Sequence, residues 1–190
     1  MALGLYLATM APGLTWAHDA ADGGELAAAA WTLGIPHPPG HPTYVLLAHL
    51  FTRLPLGGVA TRTNLFSALC AAATVALVTY VLPRSGRRWV AAVAAGLALA
   101  SAPLLWSQAT VTEVHTLNGL FTAVLLALSV LRAPQQSLCQ AVAVGWVWGL
   151  GLGNHPTLLL CGPLVARALG RSGKRWAAGA AGLVLGLGIY

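Results

Sequence analysis

Residues 64–82 read NLFSALCAAATVALVTYVL, a run that contains no charged side chain. A helix rises about 1.5 Å per residue, and about 20 apolar residues cross the hydrocarbon core of a bilayer. Pro83 follows the run, and arginines stand at 84, 87 and 88. The stretch therefore predicts a membrane-spanning helix that ends near Pro83 and has a basic, cytoplasmic flank.

The composition of the whole chain agrees with a membrane location. Of the 190 residues, 57% are hydrophobic and 7% are charged, whereas soluble domains carry about 25% charged residues. The formal net charge of +6 would suggest nucleic acid in a soluble protein. Here a few basic residues between apolar runs more naturally set orientation in a bilayer. We expect an integral membrane protein whose partner is the lipid bilayer and not nucleic acid.

Further apolar runs on both sides of this helix predict further spans. We expect an all-α polytopic membrane protein with a transmembrane helix bundle of about seven spans. Glycine pairs at a spacing of four, such as Gly145 and Gly149 or Gly182 and Gly186, would let neighbouring spans approach closely. The predicted spans run from Ala2 to about Met10, over 64–82, from Trp89 to about Ala102, over about 117–131 and 141–153, from the turn at 154–156 to Ala168, and from the residues after Arg175 to Tyr190.

Charge sets the orientation of these spans. If the first span begins in the cytoplasm, the inner loops hold eight of the ten basic residues, and only Arg53 and Arg62 lie outside. All four carboxylates and all six histidines then map to the outer face. The sequence thus predicts a multi-pass protein of a bacterial inner or plasma membrane with its active face outside the cytoplasm. The inner basic residues are Arg84, Arg87, Arg88, Arg132, Arg167, Arg171, Lys174 and Arg175.

The first outer loop, residues 12–63, is rich in proline, glycine and polar residues and cannot cross the membrane as one helix. We expect two short helices in it, one of about eleven residues that ends near Leu33 and an interfacial one from Pro42 to Arg53. Asp22 and Glu25 stand three apart at the start of the first helix, as in a capping box. The same position also suits a general base that takes a proton from a hydroxyl group.

The sequence His37-Pro-Pro-Gly-His41-Pro42 connects these two helices. Its prolines exclude a helix and stiffen the segment. The two imidazoles could bind an anionic group, or the segment could be no more than a rigid connector. Since histidines four apart share a metal ion only when they lie on a helix, we expect no metal site here.

Ionisable residues also occur in two later connections. Glu113 and His115 lie between apolar runs, where such groups usually face a cavity or a partner. A water-exposed loop is the alternative, because several hydroxyl residues surround them. Asn154-His155-Pro156 is a turn by default, and a ligand contact if it folds over the first outer loop. Four separate regions of the sequence place histidine or carboxylate side chains on the predicted outer side. Simple turns would not be expected to collect so many ionisable groups on one side.

Six separated motifs resemble one family of polytopic membrane proteins found in bacteria and eukaryotes. This family was long described as a domain of unknown function and is now grouped with protein O-mannosyltransferases of the GT-C superfamily. The motifs follow the family order along nearly the whole chain. They are YLATMAP at 6–12, DGGEL at 22–26, LGIPHPPGHP at 33–42, RTNLFSA at 62–68, WSQA at 106–109 with EVHTLN at 113–118, and GLGNHP at 151–156.

The resemblance implies a GT-C-type helix bundle and a glycosyltransferase that needs no cofactor. Its donor would be a polyprenyl- or dolichyl-phosphate sugar, with mannose as the sugar that the family name indicates, and its acceptor a protein Ser or Thr or another hydroxyl on the outer face. The superfamily carries an acidic motif in the first outer loop, where Asp22 and Glu25 stand. Asp22, Glu25 and Glu113 would then be the catalytic residues, with Asp22 as the general base and Glu113 as a second acid. We expect the donor phosphate to be held by His37, His41, Arg62, His115, Asn154 and His155.

Members of this family are much longer than 190 residues. We therefore expect residues 1–190 to be the N-terminal part of a larger transmembrane domain, without the later spans and the soluble C-terminal region. Two other functions fit the composition. A transporter or ion-handling protein could use the outer His and Glu side chains as a relay, although no carboxylate lies in the middle of a span. A non-catalytic membrane scaffold that needs a partner chain is the other.

Overall fold

The computed structural model describes residues 1–131 and 137–190, apart from the side chain of Asp19. Arg132, which the charge pattern assigns to an inner loop, lies outside the described residues. Every regular element in these ranges is helical, so the predicted all-α class is confirmed. The helices are α1 (Ala2–Thr9), α2 (Gly23–Thr32), α3 (Pro42–Thr52), α4 (Val59–Arg84), α5 (Trp89–Ala100), α6 (Pro103–Ala109), α7 (His115–Val130), α8 (Leu138–Asn154), α9 (Gly162–Leu169) and α10 (Gly173–Leu187).

The long helix α4 lies at the centre of the first part of the bundle. It contacts α1, α2, α3, α5, α6 and α7. The helix begins at Val59, before the predicted span at 64–82, and it ends at Arg84, so that Pro83 lies within its last turn. A proline removes only one backbone donor, and this loss is small where the helix ends one residue later.

By length and composition, α4 is the one helix in the described ranges that could cross a membrane by itself. Helices α5 and α6 meet at a bend of 60°, and they are long enough to cross a membrane only if the two together form one span. Helix α7 and the segment 156–169 are apolar but shorter. A count of about seven spans therefore stays a prediction.

The two helices of the segment 12–63, the predicted first outer loop, pack onto the bundle. Tyr44 of α3 is fully buried, and its ring centroid lies 5.7 Å from that of Phe66 of α4. The ring of Phe51 lies 4.8 Å from Phe66 on the same helix pair. Leu26 of α2 and Leu117 of α7 belong to the same core. Each large apolar side chain buried in this way contributes about 1.5–3 kcal/mol, so the outer loop is held firmly against α4 and α7.

Helices α8 and α10 pack through glycines, as the glycine pairs predict. A Cβ atom on Gly149 would lie 2.5 Å from the carbonyl oxygen of Leu183, and one on Gly186 would lie 2.5 Å from that of Trp146. A Cβ on Gly145 or Gly182 would also collide with the facing backbone. Two backbones approach this closely only where no side chain intervenes.

Candidate functional site

The ends of the helices bring histidines from distant parts of the chain together. His37 and His41 lie on the connection between α2 and α3, His115 is the first residue of α7, and His155 follows α8. The ring centroids are 5.4 Å apart between His37 and His41, 5.9 Å between His41 and His155, and 5.7 Å between His155 and His115. We call these four side chains the histidine row. The segment 37–42 is therefore more than a connection between two helices, since the imidazoles of His37 and His41 both lie beside other histidine rings.

Asn154 fixes the centre of the histidine row. Its backbone oxygen lies 2.6 Å from Nδ1 of His41, which is itself 3% exposed. Its side chain is fully buried, and Nδ2 donates to the backbone oxygen of Val114 at 3.2 Å. The end of α8 is therefore tied both to the histidine connection and to the start of α7. Asn154 therefore positions the histidine row through its backbone oxygen and its Nδ2, whereas its buried Oδ1 has no partner in the described part of the chain. Its expected role in holding the donor phosphate stays a prediction.

Glu25 holds His37 through two hydrogen bonds. The backbone N–H of His37 donates to Oε1 at 2.6 Å, and Nδ1 of its ring lies 2.9 Å from Oε2. Nε2 of the same ring lies 3.7 Å from Oδ2 of Asp22. The hydrogen bond between the two side chains lowers the pKa of Glu25 and raises that of His37. The imidazole is thereby aimed at Asp22 with its other nitrogen.

The predicted capping box at the start of α2 is wrong. Asp22 does occupy the N-cap position, but its side chain makes no cap hydrogen bond. Its backbone has φ −86° and ψ −8°, which is helical, whereas a capping residue usually adopts extended angles. The carboxylate of Glu25, which would complete the box, is bonded to His37 instead.

Asp22, Glu25 and His37 together also meet a distance condition for a metal ion. One ligand atom from each lies within 4.8 Å of the other two. The sequence analysis weighs only His37 and His41 as a metal-binding pair, and it does not predict the group formed by Asp22, Glu25 and His37. Its hydrogen bonds account for the arrangement without an ion. The expectation that no metal is needed stays a prediction.

Glu113 lies in the connection between α6 and α7 and is only 5% exposed. The alternative of a water-exposed loop is therefore wrong for this residue. Burial, with a smaller effect from the charge of Asp22, raises the pKa of Glu113 to about 7. A hydrogen bond from the backbone of Val114 acts in the opposite direction. Glu113 can thus exist in either protonation state near neutral pH.

A cavity of about 740 Å³, the main cavity, opens beside these residues. Asp22, Glu113, His115 and Asn118 lie around one part of it. Farther along α4 and α7, and on α5 and α6, the lining is mainly apolar. A space with one polar and one apolar part suits an amphiphilic molecule. The apolar side chains are Val78, Leu99, Leu104, Leu105, Ala123 and Leu126.

The structure does not bring Arg62 to this group. Its guanidinium donates to three backbone oxygens of the connection between α3 and α4, at 2.6 Å to Leu56, 2.5 Å to Thr52 and 2.9 Å to Gly57. An arginine that satisfies carbonyl groups in this manner stabilises a loop. The sequence suggests Arg62 as a phosphate ligand because it is one of few basic residues in its region. The sequence does not show that nearby backbone oxygens accept its hydrogen bonds.

Asn118 is a cavity residue that the site prediction omitted. It lies three residues after His115, so both side chains lie on one face of α7. Its Nδ2 donates to Oγ1 of Thr157 at 3.0 Å. The helical spacing between the two polar residues is the signal that would have identified it.

The described helices thus bring carboxylates and imidazoles to a cavity whose lining is partly apolar. Residues 22–176 match the family model described as the protein O-mannosyl-transferase TMEM260 N-terminal domain. The chain belongs to this family.

Two relatives show how much of the longer proteins this chain represents. The protein O-mannosyl-transferase TMEM260 of Mus musculus is 38% identical over 146 residues, which are 73% of this chain and 20% of the mouse protein. The Dictyostelium discoideum protein of the same name is 28% identical over 113 residues, 57% of this chain and 14% of that protein. The chain thus corresponds to about a fifth or less of either relative. No solved structure matches it significantly.

Proposed function

We propose that this chain forms part of a membrane glycosyltransferase. The enzyme transfers a sugar, such as mannose, from a polyprenyl- or dolichyl-phosphate donor to a hydroxyl group of a protein or another acceptor. The reaction takes place on the extracytoplasmic face. The observation that carries the proposal is the main cavity, in which Asp22 and Glu113 lie beside an apolar space that extends along α4 and α7.

The donor fits this cavity with its phosphate at the start of α7. A helix N-terminus carries partial positive charge and free backbone N–H groups, which favour a phosphate. His115 is the first residue of α7, and His155 lies 5.7 Å from it. Either imidazole can donate a hydrogen bond to a phosphate oxygen. The lipid chain then lies along the apolar lining, where its burial favours binding.

Asp22 is the general base of the proposed reaction. Its carboxylate removes the proton from the acceptor hydroxyl while the acceptor oxygen forms a bond to the anomeric carbon of the sugar. The bond between that carbon and the phosphate oxygen breaks, and polyprenyl phosphate leaves with the electron pair. His37 is positioned by Glu25 so that its Nε2 faces Asp22 at 3.7 Å. The ring can accept the proton from Asp22 after transfer.

Replacement of the base tests the proposal. In membranes that contain the protein and radiolabelled polyprenyl-phosphate mannose, we expect Asp22→Asn to reduce sugar transfer by about 100-fold or more, the usual contribution of a general base. The side chain of Asp22 makes no cap hydrogen bond, is about half exposed, and pairs with His37 only at 3.7 Å, so the variant should keep its membrane insertion and most of its stability. Full transfer activity in a correctly inserted Asp22→Asn variant would exclude this role.

A further inference from the structure

A second cavity, of about 590 Å³, adjoins the main cavity. Leu104 and Gln108 line both cavities. These residues are four apart on α6, so they lie on one face of that helix and form the wall that both spaces share. The other residues around the second cavity are Thr9, His18, Pro103, Trp106, Ser107 and Thr110.

The wall residue Gln108 has an unused hydrogen-bonding group. Its Nε2 donates to the backbone oxygen of His18 at 3.2 Å. Its Oε1 is buried and has no partner within the described part of the chain. A buried acceptor without a donor is unfavourable. Because Gln108 lines both cavities, its amide lies beside any molecule that is bound in either one.

The rest of the lining combines apolar and hydrogen-bonding groups. Trp106 packs its ring there and donates from Nε1 to Oγ1 of Thr9 at 2.8 Å. Pro103 and Leu104 supply apolar surface, and Leu104 is 78% exposed. An extended peptide needs both kinds of partner, because its backbone groups require hydrogen bonds and its side chains require apolar contacts. A purely apolar lipid chain would leave Gln108 unpaired.

We infer that the second cavity binds the acceptor, as an extended protein segment that carries a Ser or Thr residue. Gln108 positions this segment so that the hydroxyl passes over the shared wall toward Asp22 in the main cavity. This inference rests on the proposed function, and it adds the place at which the acceptor binds. Donor and acceptor therefore enter through two neighbouring spaces that meet at one turn of α6.

Peptide binding can be measured without a donor, which separates this inference from the proposed transfer reaction. The probe is a fluorescently labelled Thr-containing peptide, and its binding to the protein in nanodiscs is followed by anisotropy. We expect Gln108→Leu to weaken binding by about three- to tenfold, as for the loss of one hydrogen bond. Gln140→Leu is the matched control, since Gln140 also donates through Nε2, to Leu128, and also has an unpartnered Oε1.

A second variant covers the case in which Gln108→Leu fails to fold. Ser107 lines the second cavity and not the main one, so Ser107→Leu should fill the former and weaken peptide binding while leaving polyprenyl phosphate binding unchanged. Peptide binding that is lost in these variants and kept in Gln140→Leu supports the inference even if no sugar transfer is found. Unchanged peptide binding in folded variants, or weakened binding of the lipid alone, overturns it.

Discussion

At the scale of single residues, Asp22 and Glu25 have different surroundings although they stand three positions apart. Glu25 uses both carboxylate oxygens to hold His37. The side chain of Asp22 is about half exposed and lines the main cavity. Glu25 therefore positions His37, and Asp22, whose Oδ2 lies 3.7 Å from Nε2 of His37, is the carboxylate of the pair that lines the main cavity.

The bond between Glu25 and His37 can be tested by titration. The hydrogen bond to Glu25 is the largest cause that raises the pKa of His37. In Glu25→Gln the acceptor loses its charge, so we expect the pKa of His37 to fall toward its ordinary value. NMR titration of the imidazole measures this change, and His49, which bonds to the backbone oxygen of Ala30, serves as the internal control. An unchanged pKa of His37 would mean that the carboxylate does not hold the ring.

Burial of Glu113 predicts a dependence of stability on pH. The pKa is about 7 in the folded protein and 4.5 for the free side chain. Because the pKa of Glu113 is higher in the folded protein, the free energy of unfolding is largest while Glu113 is protonated. This contribution is complete below pH 4.5 and is lost as the pH rises to about 7. The loss is on the order of 3 kcal/mol, and it should disappear in Glu113→Gln. Unfolding of both proteins between pH 5 and 8 in one detergent measures the difference. Parallel curves would contradict a buried Glu113.

A divalent cation is not part of the proposed chemistry. Asp22, Glu25 and His37 nevertheless lie close enough together to bind one. We expect treatment with EDTA, followed by dialysis, to leave sugar transfer unchanged. A loss of activity that Mn²⁺ or Mg²⁺ restores would contradict the expectation and assign the group to a metal.

The sequence predicts the kinds of residue at the site better than their contacts. Asp22, Glu113 and all four histidines of the histidine row could be selected because ionisable groups are rare in this chain and fall between apolar runs. The bond from Glu25 to His37 could not be foreseen, because it depends on the path of the connector between α2 and α3. The same limit applies to Arg62, whose partners are backbone oxygens.

At the scale of helices, the close contact between α8 and α10 requires glycine at the positions where the two backbones meet. We expect Gly182→Ala to destabilise the protein by several kcal/mol, because the new methyl group would collide with the backbone oxygen of Val142. Gly173→Ala, at the start of α10, has open space around the new Cβ and should be nearly neutral. Thermal unfolding in detergent compares the two. Equal effects would show that the helices do not pack as closely as described.

Helix positions follow from the sequence because proline, glycine and basic residues interrupt the apolar runs. Thus α7 and α8 begin and end within a few residues of the predicted spans. The bend between α5 and α6 was not predicted. Pro103 disfavours a helical conformation for the preceding residue, but the angle and the resulting wall between two cavities are set by packing.

At the scale of the whole molecule, the positive-inside rule makes a prediction about sidedness. Ile35 is 91% exposed on the first outer loop, and Cys139 is exposed at the start of α8, while Cys70 and Cys161 are buried. In Ile35→Cys, we expect a membrane-impermeant maleimide to label position 35 on intact cells and Cys139 only after permeabilisation. The reverse pattern would invert the topology, and it would place the histidine row in the cytoplasm.

The central claim concerns the occupant of the main cavity, and photolabelling tests it directly. A polyprenyl phosphate that carries a photoreactive group in its lipid chain is bound to the protein in membranes, and the labelled peptides are identified by mass spectrometry. We expect label on the apolar lining, on α4 around Val78 or on α7 between Ala123 and Leu126, and competition by unlabelled polyprenyl-phosphate mannose. Label spread over the outer surfaces of the bundle, without competition, would contradict the proposed donor site.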